Sequence, residues 1–374
     1  MRDLPESLAI AGAWGYIGRK FLDVATRYQI PVFVYDPGSL PPDVDPRQLT
    51  RLTDDAEFYR LPAELFHLAT HPDQRRSGQQ HLLDRARREP LVILNEKPMA
   101  APESPDECAQ IVAAVRDSQA TMLYDFPELY DPLTECILDH LRTYRDVQLT
   151  EISLCRSKDR ESPDKPRNYK RMVPIQYQES VHCLAFVLFL LARLRGSWAA
   201  ALEDGVRVRA QSAPYAPPNP EIYPSVVDGK CTYQLSLGPT QVEGRTDFKA
   251  GAEFTKRRVL CGRGDGQPLC IEAEYLEGHK RLVINGRDQS VDPRADSYQS
   301  VLQTITRWRR EVPRDELMTG LYPNPGLARI TYQLSSALWR ASRDGAELRF
   351  ASLDALLGFD ASFREALQAR PSPA

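Results

Sequence analysis

Short apolar runs alternate with longer amphipathic stretches through the first 125 residues of the chain. The runs at residues 8–12, 31–36, 64–72, 91–95 and 120–125 predict buried strands, and the stretches between them predict helices. Strands without polar alternation, separated by helices, indicate a parallel sheet that is covered on both faces. The pattern therefore predicts an α/β fold for this part of the chain.

The pattern changes after residue 126. It predicts a longer alternating strand at 147–156, an apolar helix from residue 178, and strand-like runs with turns over 205–292. The dipeptide Asn285-Gly286 is a strong hairpin signal within this region. We therefore expect a large, mainly antiparallel open sheet after the α/β part, followed by further helices.

The bulk composition narrows the class of protein. The 374 residues carry a net charge of −3 and the pI is about 6.1, so no basic field points to a nucleic-acid partner. The seven cysteines are scattered and none form a CxxC pair. This argues against a zinc or other metal site and against a disulfide framework, and it suits a reducing cytoplasm.

Neither a signal peptide nor a membrane span is expected. The N-terminus lacks a long apolar core and runs directly into the first strand pattern. The most apolar stretch, residues 181–194, is shorter than the roughly 20 residues that cross a bilayer. It is therefore expected to form a buried helix.

A glycine-rich turn joins the first strand to the first helix in "LAIAGAWGYIGRK". Gly15 and Gly18 align with the last two glycines of a dinucleotide-binding turn, and Ala13 stands at the first glycine position. A small residue permits the tight turn, and the helix N-terminus then faces a pyrophosphate. The expected cofactor-binding residues of this turn are Gly12, Ala13, Trp14, Gly15, Tyr16 and Ile17. A glycine-rich structural turn is the alternative.

Asp36 ends the next predicted strand. A carboxylate at this position accepts hydrogen bonds from the adenosine ribose and disfavours a 2′-phosphate, so NAD is expected rather than NADP. A simple turn residue before Pro37-Gly38 is the alternative. With the glycine turn, this predicts a Rossmann dinucleotide-binding domain at residues 1–126 and an α+β domain at residues 127–374.

The buried strand "LVILN" is followed at once by Glu96, Lys97 and Pro98. This Glu-Lys-Pro sequence, the glycine turn "AGAWGYIGR", the stretch "LYDFPELYDPLTECIL" and the late "NPGLARITYQLSSALWRAS" resemble the glucose–fructose oxidoreductase / inositol dehydrogenase / rhizopine-catabolism (Gfo/Idh/MocA) family. The resembling stretches are spread over most of the chain. Glu-Lys-Pro is the most specific of them.

The resemblance implies that Lys97 points from a strand end toward substrate and nicotinamide, with a cis peptide before Pro98. A lysine at this sheet edge can stabilise negative charge on a substrate oxygen. Thr70 and His71, at another strand end, and Glu96 are expected beside the cofactor. The alternative is a surface Glu-Lys pair.

The resembling family carries an aspartate four residues before a catalytic histidine. The matching histidine here is His182, but Gln178 stands four residues before it, and Glu179 stands three before it. Helical spacing places both on the face of His182, so Glu179 is expected to orient the imidazole and Gln178 to contact substrate. A core histidine on an apolar helix is the alternative for His182.

A basic loop precedes this helix and includes Lys158, Arg160 and Lys170. Its cations would suit an anionic substrate such as a phosphate or carboxylate, and a solvated loop is the alternative. Lys170 and Tyr177 are therefore expected to contact the substrate together with Gln178.

The sequence thus predicts an NAD(P)-dependent oxidoreductase that acts on a sugar, cyclitol or related polyol. Imine reduction and NAD-assisted cleavage of a glycosidic bond are alternatives on the same fold, and a non-catalytic cofactor-binding sensor is a third. The expected partners are a small-molecule substrate and further copies of the chain. Homo-oligomers are implied by the resemblance, and an open sheet offers a self-complementary face.

Overall fold

The computed structural model describes residues 3–160, 172–215, 227–249 and 255–360. They form two compact units. The first contains the chain up to Ala101, Pro105–Pro127 and Ser297–Ala328, and the second contains Pro102–Ser104, Glu128–Asp296 and the chain from Arg329. The helices in chain order are α1 (Tyr16–Arg27), α2 (Asp55–Phe58), α3 (Pro72–Ala86), α4 (Asp106–Arg116), α5 (Pro132–Arg142), α6 (Val181–Arg195), α7 (Trp198–Ala201), α8 (Ser297–Glu311), α9 (Arg314–Thr319), α10 (Pro325–Asp344) and α11 (Leu353–Leu357).

The first unit is built on a six-stranded parallel sheet. Its strands are β1 (Leu8–Ala11), β2 (Val32–Tyr35), β3 (Thr50–Leu52), β4 (Leu65–Leu68), β5 (Leu91–Asn95) and β6 (Ala120–Tyr124). They lie in the order β3-β2-β1-β4-β5-β6, and every pairing is parallel. This is the strand order of doubly wound dinucleotide-binding sheets. The predicted α/β fold is confirmed.

One strand and one helix of this unit are absent from the sequence prediction. Strand β3 has three residues, and two of them, Thr50 and Arg51, are exposed. Helix α2 has four residues. Elements this short contain too few apolar positions to show a period, and β3 is added only by pairing with β2.

Helices α8 and α9 belong to the first unit although they come late in the chain. The Arg314 guanidinium of α9 donates to the backbone carbonyls of Val115 at 2.8 Å, Ser118 at 2.7 Å and Ala120 at 3.2 Å. These carbonyls lie between the end of α4 and the start of β6. A single division near residue 126 places these helices in the second domain, whereas their contacts place them in the first unit.

The second unit is built on a nine-stranded sheet. Its strands are β7 (Val147–Ser157), β8 (Val206–Tyr215), β9 (Val227–Leu237), β10 (Thr240–Asp247), β11 (Lys256–Gly264), β12 (Gln267–Glu274), β13 (Arg281–Ile284), β14 (Arg287–Asp288) and β15 (Leu348–Phe350). The order is β14-β13-β12-β11-β7-β10-β9-β8-β15. Every pairing is antiparallel except that of β7 with β10. The predicted, mainly antiparallel sheet is confirmed.

Burial alternates along these strands, most regularly along β10. One face of the sheet is therefore packed and the other is open, as expected for a half-buried antiparallel sheet. The hairpin between β13 and β14 has the predicted two-residue turn. Asn285 and Gly286 both have positive φ, 49° and 76°, which a type I′ turn requires.

The apolar helix of the second unit is longer than its apolar run. A π-helical turn (Gln176–Ser180) continues directly into α6. The 20 residues Gln176–Arg195 are long and apolar enough to cross a membrane by length and composition alone, so the prediction that this segment is too short is wrong. However, 89% of its most apolar window is buried inside the protein. It is the core helix that the sequence predicts.

Candidate active site

The glycine turn between β1 and α1 has the geometry that its sequence predicts. Gly12 has a φ of +81°, and a Cβ added there would lie 2.9 Å from Thr70 Cγ2. A Cβ on Gly18 would lie 2.3 Å from the Gly12 carbonyl oxygen, closer than real Cβ atoms come. The backbone N–H of Gly15 donates to that carbonyl at 3.0 Å. Gly12 and Gly18 therefore both require glycine, and α1 packs directly against the turn.

The N-terminus of α1 offers backbone N–H groups to an anion. The N-cap residue of this 12-residue helix is Gly15, which has no side chain that could cap it. Ala13 is fully buried, whereas the side chain of Tyr16 is 39% exposed. Backbone amides at a helix start that follows a glycine turn fit the pyrophosphate of a dinucleotide.

Asp36 and Trp14 together fix the turn that follows β2. The Asp36 carboxylate accepts from the backbone N–H of Trp14 at 3.0 Å and of Gly38 at 2.9 Å. The indole N–H of Trp14 donates to the Gly38 carbonyl at 3.3 Å. This explains the tryptophan in the glycine loop, because its side chain is hydrogen-bonded to the segment after β2. A carboxylate has about four acceptor sites, so Asp36 keeps capacity for a ribose hydroxyl.

The Glu-Lys-Pro turn follows directly after β5. The peptide bond between Lys97 and Pro98 is cis, as the resemblance implies. Over residues 93–100 every residue is buried except Lys97, which is half-buried. The turn is therefore embedded in the first unit, and its lysine is the one member with access to solvent. It stands at the carboxyl edge of the parallel sheet, where such folds bind ligands.

Arg75 holds this turn in place. It lies on α3 with 2% exposure, and its guanidinium donates to the carbonyls of Glu96 and Pro98. These are the two carbonyls on either side of Lys97. Burial lowers the pKa of Arg75, and the Glu96 charge opposes this shift. The sequence gives no sign of this role, because Arg75 and Arg76 are adjacent and look alike until the fold buries one of them.

A buried set of acid and base groups lies beside the turn. His67 Nε2 is 3.1 Å from Glu96 Oε1, and ligand atoms of His67, Glu96 and Asp125 lie within 4.8 Å of one another. Burial, and then the Glu96 charge, raise the pKa of Asp125 well above its ordinary value. Burial alone would raise the pKa of Glu96, but its hydrogen bond to His67 and the charge of His67 lower it.

These directions describe a carboxyl pair that holds one proton on Asp125 and a negative charge on Glu96. The three groups are close enough to hold a metal ion, but an ion there would replace the His67–Glu96 hydrogen bond. After the larger effects of burial and the neighbouring groups, the charge of the Lys97 ammonium also lowers the pKa of both carboxyls. In this structure the Glu96 carboxylate pairs with His67, and its predicted contact with a cofactor stays a prediction.

His71 and Thr70 lie at the end of β4, as expected. Thr70 packs against Gly12 of the glycine turn. His71 is the N-cap residue of α3, and its Nδ1 pairs with the carboxylate of Asp73. The imidazole is a quarter exposed, and its role toward the cofactor stays a prediction.

In the second unit, His182 lies in the first turn of α6 with 5% exposure. The residues before it form a π-helical turn. The α-helical spacing that put Gln178 and Glu179 on the face of His182 therefore does not apply through this segment. Periodicity alone does not reveal a π turn in an apolar stretch.

Glu179 is held by cations. Its fully buried carboxylate accepts from Arg156 Nε at 2.8 Å and lies 3.3 Å from Lys158 Nζ. Arg156 also pairs with Glu128, and Glu128 accepts from Arg258 at 2.6 Å. Glu179 is thus part of a buried network of charges, and its predicted effect on His182 stays a prediction.

The predicted substrate residues have different surroundings. With its amide turned so that the oxygen faces the guanidinium, Gln178 accepts from Arg160 Nε at 3.0 Å. Tyr177 is fully buried, and its hydroxyl donates to Ser336 Oγ at 2.9 Å. This placement gives Tyr177 a packing role and does not support its contact with a substrate. Lys170 lies outside the described residues.

Lys256, at the start of β11, is a titratable group that the sequence reasoning missed. Burial, and then the charge of Arg156, lower its pKa to about 8. A lysine with such a pKa exchanges a proton near neutral pH. Its sequence context, "TKRRVL", looks like an ordinary basic run, so only the fold distinguishes it.

The first unit has the strand order of a Rossmann fold, and the chain also contains an open-sheet α+β unit. Three solved structures share this fold. A myo-inositol dehydrogenase from Corynebacterium glutamicum has a TM-score of 0.66 and 16% sequence identity, and the match covers 92% of this chain and 99% of that one. UDP-N-acetylglucosamine 3-dehydrogenase from Acidithiobacillus ferrooxidans has a TM-score of 0.66 and 13% identity, with 91% and 99% covered, and a super-repressor mutant of Gal80p from Saccharomyces cerevisiae has a TM-score of 0.70 and 12% identity, with 95% and 100% covered. Neither the family models nor the curated protein sequences match this chain.

Replacing Arg75 tests the support of the Lys97 turn. Arg75→Met should lower the free energy of unfolding by about 2–3 kcal/mol, because two buried carbonyls lose a charged donor. Arg76→Met is the matched control, since the Arg76 side chain is 68% exposed and pairs only with Glu107 among the contacts that the structure describes. Urea unfolding at neutral pH measures both. Equal effects of the two substitutions would contradict the assigned role.

Replacing Asp125 tests the buried proton. The folded state keeps a proton that unfolded Asp125 releases above its ordinary pKa of 3.8. The free energy of unfolding therefore falls as pH rises above that value, until the folded pKa is reached. The pKa of Glu96 is lowered from 4.5, so its opposite contribution changes only below that pH.

Asp125→Asn removes the titration of Asp125. Its free energy of unfolding relative to the wild type should therefore increase as the pH rises from about 5 toward the folded pKa of Asp125, by at most about 1.4 kcal/mol per pH unit. Urea unfolding across this range measures the difference. Asp117→Asn, at an exposed position, should show no such trend. A flat difference for Asp125→Asn would mean that the carboxyl is ionised in the folded protein.

Proposed function

We propose that this chain is an NAD(P)-dependent oxidoreductase that transfers a hydride between nicotinamide and a secondary hydroxyl or ketone of a sugar, cyclitol or related polyol. The observation that carries the proposal is the turn of Lys97. A partly exposed lysine lies at the carboxyl edge of a Rossmann-type sheet, in a turn whose carbonyls are held by a buried guanidinium. The two dehydrogenases that share the fold support the substrate class.

The residues of the first unit fit a dinucleotide. The start of α1 would hold the pyrophosphate, with Gly12 allowing the tight turn before it. The Asp36 carboxylate, already oriented by two backbone amides, would accept from the adenosine ribose and favour NAD. Arg51 donates to the Gly38 carbonyl at 2.7 Å, and a cation at this turn would help NADP to bind. NAD is the proposed cofactor, with NADP as the second choice.

Bound nicotinamide would supply the acceptor or donor of the hydride. The Lys97 ammonium would hydrogen-bond the reacting oxygen and stabilise the negative charge that develops on it. His182 would take or give the hydroxyl proton. Arg75 would position Lys97 by fixing the backbone on both sides of it. Gln178, with Arg160 bound to its amide, would contact a polar or anionic group of the substrate.

A cofactor-binding regulator without catalysis is the second candidate. It is favoured by the shared fold of Gal80p, a super-repressor mutant of which has the same architecture, and by Gln178 at the position of the family's aspartate. Imine reduction and NAD-assisted glycoside cleavage are alternatives on the same fold. Gln178 in place of the aspartate is compatible with both reactions. The half-exposed lysine favours a catalytic role.

We also propose that the chain acts as a cytoplasmic homo-oligomer. The open face of the nine-stranded sheet carries charges of both signs, among them Arg209, Glu243 and Glu347, which line one concave region with Gln234. A face that holds both signs of charge can pair with a second copy of itself.

Titration of the protein with NADH and NADPH, followed by nicotinamide fluorescence, tests the cofactor. We expect NADH to bind more tightly, and Asp36→Ala to weaken NADH binding about 10- to 100-fold through loss of a charged acceptor. Asp43→Ala is the control, because Asp43 is exposed and pairs with Arg19. Tighter binding of NADPH would contradict the role of Asp36. If neither binds, denaturing the protein and finding no released nicotinamide would contradict cofactor binding itself.

Turnover of a panel of inositols, ketoses and nucleotide sugars tests the catalytic roles. Lys97→Ala and His182→Asn should each lower kcat about 10²- to 10⁴-fold, while NADH fluorescence shows that the cofactor still binds. His279→Asn changes an exposed histidine and should leave kcat unchanged. Full turnover by either active-site variant would exclude its assigned role. Tight NADH binding with no turnover of any substrate would favour the regulator.

A further inference from the structure

Cys261 and Cys270 face each other across two neighbouring strands of the second unit. The antiparallel register of β11 with β12 pairs them directly, and their Sγ atoms are 3.2 Å apart. Both are present as free thiols. In the sequence they look like two of several scattered cysteines, because no local spacing marks a pair that a sheet register brings together.

The backbone hydrogen bonds of Cys270 show which type of antiparallel pair it forms with Cys261. Its N–H donates to Asn285 Oδ1, and its carbonyl accepts from the Asn285 N–H, both at 2.8 Å. In an antiparallel sheet the N–H and C=O of one residue point to the same neighbour. Cys270 therefore bonds toward the turn after β13 and forms a non-hydrogen-bonded pair with Cys261. The Cα atoms of such pairs lie about 4.5 Å apart, within the range of about 4.4–6.8 Å that disulfides span.

On its other side, the strand of Cys261 pairs with β7, and this pairing is irregular beside the cysteine. The register of β11 with β7 shifts between Cys261 and Gly262, so a β-bulge follows the cysteine directly. Bulges redirect side chains and are common beside functional positions. Here the bulge leaves Thr150 without a partner on β11 in the register that the structure describes.

Neither cysteine of the pair is fully buried. Cys261 and Cys270 are partly exposed, whereas Cys108, Cys183 and Cys231 are buried. Cys261 lines the concave region of the open sheet face together with Glu151 and Val259. On a single chain, a small molecule can therefore reach Cys261 from this open face, and a second copy that pairs through the same face would cover it.

We propose that Cys261 and Cys270 form a reversible thiol–disulfide site that reacts with low-molecular-weight disulfides. One cysteine, as thiolate, attacks a sulfur of the small disulfide, forms a mixed disulfide and releases one small thiol. The second cysteine then displaces the other small thiol and closes the Cys261–Cys270 bond. The two protein thiols are oxidised, the small disulfide is reduced to two thiols, and the two protons pass to them. This site is independent of the proposed oxidoreductase activity.

The surroundings of the pair set its rate. Burial, then the hydrogen bond and charge of Cys270, then the charges of Glu151 and Glu272, raise the pKa of Cys261 to about 11. Glu151 comes from β7 and Glu272 from β12, so carboxylates face the thiol from both neighbouring strands. Since the thiolate is the attacking species, exchange should be slow at neutral pH and faster in alkaline solution.

Peptide mapping of the full chain tests the proposal. The protein is incubated with glutathione disulfide at several values between about pH 7 and pH 9, quenched by acid, alkylated and digested. Mass spectrometry should find an internal Cys261–Cys270 link that dithiothreitol reverses, and its rate of formation should rise up to about tenfold per pH unit. Cys136→Ser is the control: it removes an exposed cysteine, and the link should still form.

Single variants separate the two steps. Cys261→Ser and Cys270→Ser should each accumulate a glutathione adduct on the remaining cysteine, because no second thiol resolves it. The proposal is overturned if the wild type forms no internal link while Cys136 becomes glutathionylated, or if the link joins two chains. The wild-type map is decisive even if a serine variant does not fold.

Discussion

The hydrogen bonds of one buried guanidinium determine the geometry of the candidate site in the first unit. Arg75 reaches from α3 to the carbonyls of Glu96 and Pro98, and so fixes the backbone on both sides of Lys97. A buried cation of this kind is stable only when its donors are satisfied. The carbonyls of an irregular turn, which have no ladder partner, also need a donor. The guanidinium and the carbonyls therefore satisfy each other, and the backbone on both sides of Lys97 is fixed.

In the second unit, buried cations are paired with carboxylates. Glu128 and Glu179 face Arg156 and Arg258 in a fully buried network beside the start of the apolar helix. Such a network tolerates the loss of one member poorly, because the remaining charge is left unpaired. The negative charge of Glu179 is therefore matched by Arg156 and Lys158, and its sequence neighbour Gln178 is neutral.

The sequence predicted the elements whose signal lies in consecutive residues. The buried strands of the first unit, the glycine turn, the Asn285-Gly286 hairpin and the position of Lys97 all have local patterns, and the fold confirms them. Arg75, Asp125 and Lys256 were missed, because their properties come from burial among residues distant in the chain. Tyr177 is the opposite case, because its local sequence suggests a contact with substrate that the fold does not support. Its sequence position is close to His182, but its hydroxyl faces the core.

The parallel pairing of β7 with β10 has a consequence for the order in which the second unit assembles. β7 pairs with β10 on one side and with β11 on the other, and both partners are made long after it. In the register, Glu151 lies opposite Gln241, so the chain between them, including the buried helix, must be placed before this part of the sheet can close. Pairings of such high sequence separation carry a large loop-closure entropy and slow the folding of a domain. During synthesis, β7 would emerge with both of its edges open, and it would depend on the apolar helix that follows it for early burial.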